Sequence, residues 1–196
     1  MSGARRIALA GAFVVACGRG TVPNAALPDG ARVTDAAVLA AVVAPDPVLE
    51  ELWTRAKGGD ADDLARLADR EGESGLAERG RSDPAARMAA IRAMAFAPEP
   101  GAFGGLPFLA EAARGTDEPQ AQAALESAID LAARPRRAVD PEDAAEMKAG
   151  CDSMLALAKD VKAPRARRVN AIRALRMLAD RGCVDPAALP TDLDAR

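Results

Sequence analysis

Apolar residues recur along most of the chain at the three-and-four spacing of a helix. Leu49, Leu52, Trp53 and Ala56 form one stripe, which Lys57-Gly58-Gly59 closes. Leu64, Leu67 and Ala68 form a second, Met88, Ile91 and Ala95 a third, and Leu106, Leu109, Ala110 and Ala113 a fourth. Ala121, Leu125, Ala128 and Ala132 make a fifth, Met147, Cys151, Met154 and Ala158 a sixth, and Ile172, Leu175 and Leu178 a seventh. No stretch alternates apolar and polar positions as a half-buried strand does. The pattern predicts an all-α chain.

Helix starts are marked by a repeated dipeptide. Asp46-Pro47, Asp83-Pro84, Asp140-Pro141 and Asp185-Pro186 each place an N-cap acceptor before a proline. Asp accepts from the free N–H groups of a first turn, and Pro at the first helical position gives up only a donor that has no partner there. Asp60 caps a further helix whose first turn is acidic. Asp60, Asp62 and Asp63 resemble a calcium loop only superficially, because the Gly and the distal Glu of such a loop are missing; compensation of the helix dipole accounts for them.

Composition sharpens this reading. The chain has 196 residues, enough for one domain or one short repeat array, and 49 of them are Ala. Leu, Ile, Val and Phe together number only 38, so the helices must pack closely through small side chains. The absence of His removes the commonest general base and metal ligand, and with it Ser-His-Asp, Cys-His and zincin chemistry. A net charge of -3 gives no phosphate-seeking surface, which argues against nucleic acid as a partner. Gly101-Ala102-Phe103-Gly104-Gly105 lacks the Lys-Ser/Thr of a phosphate loop and reads as a turn between helices. No cofactor motif, metal ligand set or small-molecule site is expected. Trp53 lies on an apolar stripe and is expected to anchor the core.

The N-terminus reads as an address. Arg5 and Arg6 precede the apolar run Ile7–Ala16, which is too short to span a bilayer and has the proportions of a secretory signal peptide. Val14-Val15-Ala16-Cys17 resembles the lipobox of bacterial lipoproteins. That resemblance implies cleavage before Cys17, attachment of a diacylglycerol to its thiol and acylation of its amine. Several acyl chains together anchor a protein stably where one does not. Gly18 at the next position implies sorting to the outer membrane of a diderm bacterium. Loss of residues 1–16 also removes Arg5 and Arg6 and makes the mature chain more acidic. Gly18–Arg32 has no periodicity and reads as a tether.

The body shows internal similarity. Pro84-Ala85-Ala86-Arg87, Pro119-Gln120-Ala121-Gln122 and Pro164-Arg165-Ala166-Arg167 each precede an Ala-rich apolar helix. Asp83-Pro84-Ala85-Ala86-Arg87-Met88-Ala89-Ala90-Ile91-Arg92-Ala93-Met94 resembles the second helix of HEAT-type repeats of the bilin-lyase-like subclass. In the second unit Glu118 stands for the Asp and Gln122 for the Arg; in the third Ala163 stands for the Asp. The resemblance implies a short α-solenoid of antiparallel helix pairs, about three repeats plus an N-terminal helical cap. A generic Ala-rich helical bundle is the alternative. The expected layout is a signal peptide at 1–16, the lipidated Cys and tether at 17–32, the cap at 33–59, HEAT-like repeats at 60–182 and a C-terminal tail at 183–196.

Stacked repeats leave a face of second helices for recognition, and Arg92, Gln122, Glu126, Arg173 and Arg176 are the candidate partner-binding residues on it. Lys162, Arg165, Arg167, Arg168, Arg173, Arg176 and Arg181 form a basic stretch near the C-terminus, read as a solvated face or as a surface for an anionic partner. Cys151 and Cys183 form a disulfide or remain two structural thiols. A hairpin turning near Asp160–Ala163 places Cys151 near residue 173, well short of Cys183, so the bridge requires the tail after Gly182 to fold back. These features point to an exported, lipid-anchored, non-catalytic scaffold that binds a protein. The alternatives are a bilin-lyase-like enzyme and a purely structural envelope protein.

Overall fold

The computed structural model describes residues 46–98, 104–134 and 144–191, together with the backbone alone at 141–143. The leader, Cys17, the tether, Asp140 and most of the glycine-rich turn at 101–105 lie outside the described residues.

Among the described residues seven helices form: α1 (Pro47–Ala56), α2 (Ala61–Ser82), α3 (Arg87–Met94), α4 (Leu106–Arg114), α5 (Glu118–Ala133), α6 (Pro141–Lys159) and α7 (Arg165–Ala179). A 3-10 turn follows at Pro186–Ala188, and there is no strand among the described residues. Three of the expected caps act as the sequence suggests, whereas Asp83 ends α2 and accepts from the Ala85 N–H at 2.9 Å in a turn, so that α3 starts only after Ala86 and has no side-chain cap. Asp46 accepts from the Val48 N–H at 3.0 Å, Asp60 from those of Asp62 and Asp63 at 3.0 and 3.1 Å, and Asp185 from that of Ala187 at 2.9 Å. The last of these opens the 3-10 turn. Between α1 and α2 the chain reverses at Gly59, whose φ of 80° is open to a residue without a Cβ. Inside α2, Gly72 leaves the helical region at φ 64° and ψ -178°, so this long helix is two stretches joined at a bend.

Short connections make α2 and α3, α4 and α5, and α6 and α7 antiparallel neighbours. Stacking then joins α4 to α6 along the outer row and α3 to α5 to α7 along the inner row, with α1 covering the first pair. The described region is an all-α stack of three helix pairs with an N-terminal cap helix, the architecture of a short α-solenoid.

The inner helices share a register. Counted from Asp83, Asp117 and Pro164, equivalent positions carry Ala90, Ala124 and Ala171, then Ile91, Leu125 and Ile172, then Ala97, Leu131 and Leu178, all buried. The cap of the second unit is Asp117, whose side chain accepts from the Gln120 N–H at 2.9 Å, and Glu118 is already helical. Proline is therefore a poor ruler for these repeats, because it is the N-cap residue of α7 but the second helical residue of α5.

Small residues set the distances between helices. A Cβ on Gly80 would lie 2.5 Å from Phe108 Cζ and 2.9 Å from Ala90 Cβ, where α2 meets α3 and α4. A Cβ on Gly150 would lie 2.8 Å from the carbonyl carbon of Leu106, where α6 meets α4. Trp53, 1% exposed, donates its indole N–H to Glu71 at 2.7 Å and lies beneath the Arg79 guanidinium, fastening α1 to α2.

Cys151 and Cys183 form a disulfide, with their Cα atoms 5.9 Å apart. Gly182, at φ 77°, turns the chain back after α7, and Cys183 and Leu189 enter the core. Residues 183–191 are thus part of the folded body, beyond the tail that the sequence suggests.

Candidate binding cleft on the inner helices

The inner helices expose the side chains that the outer row and the core do not use. On α5, residues spaced four apart face outward: Gln122, Glu126 and Asp130. Beside them on the same helix, the exposed Pro119 and the buried Ala123 and Ser127 line the same side. Opposite them stand Arg92, Ala95 and Phe96 at the end of α3, with Gly59, Ala61 and Leu64 from the start of α2. Together these residues bound an open cleft of about 430 Å³.

The floor is apolar and the rim is charged. Leu64, Ala95 and Ala123 are buried and Phe96 is half-buried, whereas Arg92, Glu126 and Asp130 are exposed. Arg92 reaches over Gly59: a Cβ added there would lie 2.8 Å from its Nη1, so the glycine leaves room for the guanidinium. Gln122 donates from Nε2 to Glu126 Oε1 at 2.9 Å and holds that carboxylate on the α5 wall. Ser127, 5% exposed, is the buried hydroxyl on the same wall. The cleft thus offers guanidinium donors on one side, carboxylate acceptors on the other and an apolar floor between them.

Three of the five residues expected on a recognition face, Arg92, Gln122 and Glu126, are brought together here. Arg173 and Arg176 are exposed on α7 and do not line the cleft. Ser127, Asp130 and Phe96 were not singled out from the sequence. The four-residue spacing of Gln122, Glu126 and Asp130 is the signal that contains the acidic member. A second hollow, of about 470 Å³, lies between α1 and α2 and is lined by Val48, Leu49, Leu52, Arg55, Arg66, Asp69 and Arg70. None of the expected residues lines it.

The basic stretch after Lys162 divides in two. Arg167, 9% exposed, donates to the carbonyls of Gly115 at 2.7 Å and Ala113 at 3.4 Å, and pairs with Glu118. Arg168 donates to the Ala158 carbonyl at 3.0 Å, and Arg181 to the Arg134 carbonyl at 2.9 Å. Arg134 in turn donates to the carbonyls of Ala95 and Ala97. These four guanidiniums lie on the C-terminal carbonyls of α4, α6, α5 and α3, where a cation meets the negative end of the helix dipole. A planar fork can serve two carbonyls together, as Arg167 and Arg134 do, which a Lys cannot reproduce. Arg165, Arg173 and Arg176 remain on the exposed side.

Carboxylates elsewhere are held by the same residue type. The Arg79 hydrogen bond keeps the Glu50 carboxyl below the ordinary range. Partial burial acts to raise Glu111, but Arg81 and Arg87, each donating at 3.0 Å, outweigh it and hold that carboxyl low. Arg167 does the same for Glu118.

No protein-family model, curated protein or solved structure matches the chain. Among the described residues no group of His, Cys, Asp or Glu could hold a metal ion.

Proposed function

We propose that this protein is an exported, lipid-anchored adaptor. In this reading Cys17 tethers it to the membrane, residues 18–32 act as a spacer, and the helical stack binds a protein partner without catalysing a reaction. The observation that carries it is the cleft on the inner helices, where Arg92, Gln122 and Glu126 surround an apolar floor. Exposed charge on rigid helices beside buried apolar surface is suited to recognition. The Cys151–Cys183 disulfide supports maturation in an oxidising compartment, as export requires. By the sorting rule for Gly18, the destination is the outer membrane of a diderm bacterium, within a HEAT-like envelope scaffold.

The test is to express the full chain and Cys17→Ser in a diderm host, then measure the N-terminal peptide mass and detergent-phase partitioning. The expected result is a peptide starting at acylated Cys17 and a variant that leaves the detergent phase. An uncut Ile7–Ala16 segment in a chain that stays in the aqueous phase refutes the lipoprotein reading. Crosslinking in the envelope tests the adaptor role. It should recover one stoichiometric partner, lost on charge reversal at Arg92 and Glu126. Recovery of none points instead to a purely structural envelope protein.

A further inference from the structure

The shared register of the inner helices holds one position that is exposed and charged in all three. It lies nine residues after Asp83, Asp117 and Pro164, and is occupied by Arg92, Glu126 and Arg173. The sequence neighbours of each are buried: Ile91 and Ala93, Leu125 and Ser127, Ile172 and Ala174. The position is therefore a solvent-facing column on a well-packed helix. Because α3 contacts α5 and α5 contacts α7, the three residues hold corresponding places on successive helices, with the charge order plus, minus, plus. Four residues on, the row is followed by Phe96, Asp130 and Met177; four residues before, it is preceded by Met88, Gln122 and Val169. Arg92 and Arg173 thus each stand between two apolar side chains, and Glu126 stands between two polar ones.

Within the chain this row is not consumed. Among the described residues Arg92 and Arg173 form no ion pair, and Glu126 accepts only from the neutral Gln122 amide. Resting on the adaptor reading above, we infer that the row is the docking track for an amphipathic helix of a protein partner. The partner helix carries an acidic, a basic and an acidic side chain at positions i, i+7 and i+14. Packed helices lie about 8–10 Å apart, and seven residues of helix advance about 10.5 Å while returning to the same face. Heptad spacing therefore places one charge over each inner helix. An extended strand fails this match, since residues about 10 Å apart on it face opposite ways.

The cleft completes the recognition. It opens between Arg92 and Glu126, hence beneath position i+3 or i+4 of the docked helix. Its floor of Leu64, Ala95, Phe96 and Ala123 and its volume of about 430 Å³ suit one large apolar side chain there. The same geometry disfavours a second copy of this chain laid row on row, because Glu126 would meet Glu126 and arginine would meet arginine.

Three synthetic 21-residue helical peptides test this, each with Leu at i+4 and a neutral background. Their i, i+7 and i+14 residues are Glu-Lys-Glu, Lys-Glu-Lys or Gln-Gln-Gln, and binding to the full chain is read by fluorescence anisotropy. Glu-Lys-Glu is expected to bind at least ten-fold tighter than Lys-Glu-Lys, with the gap narrowing as salt rises. The triple variant Arg92→Glu, Glu126→Lys, Arg173→Glu is expected to invert that preference. All three positions are exposed, and an unchanged thermal midpoint shows that the variant is folded. Should it be misfolded, Glu126→Gln alone must still reduce the preference. Equal affinities, absence of binding by all three peptides, or a preference unmoved by these substitutions overturns the inference. A chain that recovers its envelope partner yet shows no order preference loses this inference and keeps the adaptor role.

Discussion

Removing the Cys151–Cys183 disulfide tests how the C-terminal segment is held. The bridge joins residues 32 apart, and both cysteines are buried. Constraining a loop of that length in the unfolded chain contributes about 3.7 kcal/mol on the chain-entropy account. For a domain of this size each kcal/mol moves the thermal midpoint by about 2–4 °C, so reduction should lower it by roughly 7–15 °C. Cys151→Ala with Cys183→Ala is the better variant than Ser, since both sites lie in the apolar core and Ser would bury a hydroxyl. The double variant should match the reduced protein, apart from a small added loss for the missing sulfur contacts. It should also expose the 3-10 turn and Leu189 to limited proteolysis, because Gly182 alone does not hold the returning chain. Thermal melts with and without reductant, beside a thiol count in denaturant, read both effects. Two titratable thiols in protein purified from an oxidising host, or a midpoint shift below about 3 °C, would refute this reasoning.

Gly150→Ala should destabilise the chain by about 1–3 kcal/mol, because the added Cβ meets Leu106 backbone, which cannot move aside as a flexible side chain can. Urea unfolding checks it, and an unchanged midpoint counts against the close α4–α6 approach. Arg167→Ala leaves the Gly115 and Ala113 carbonyls without their donor and should cost about 1–3 kcal/mol. Arg167→Lys should recover only part of that, and full recovery would show that charge alone matters. Asp60→Ala should cost about 1 kcal/mol of helix capping while Asp60→Asn stays near the parent; equal losses in the two would assign the effect to charge. Asp46, Glu50, Glu111 and Glu118 have carboxyls held below the ordinary range by arginine hydrogen bonds, so the unfolded chain binds their protons first as pH falls. Their stabilisation is complete above the ordinary carboxylate range and is lost as pH drops through the lowered values. The urea midpoint should decline over that window, and Glu111→Gln should flatten the decline.

Much of this protein is local and so was legible in the order of its residues. Helix periodicity, the Asp caps and the glycine stops act within about four positions, where spacing alone specifies geometry. That is why the seven apolar stripes correspond to the seven described helices, and why Asp60 and Asp46 cap as expected. The repeat was visible too, through the Ala-Ile-Arg-Ala runs, although proline misplaced the cap of the second unit by one residue. The tertiary structure decided everything that joins distant positions. Cys151 finds Cys183 because Gly182 reverses the chain, which no spacing rule specifies. Arg167, Arg168 and Arg181 look in sequence like solvated charge, yet they, and Arg134 with them, turn to carbonyls at the ends of neighbouring helices. Which exposed residues share a cleft followed the same logic: Arg92 and Glu126 line one cleft between α3 and α5, while Arg176, equally basic and exposed, lies apart from it. A helix determines which of its sides faces outward through its own sequence. What stands opposite that side depends on how closely other helices approach, and here glycines at 80 and 150, contacting residues far along the chain, set those distances.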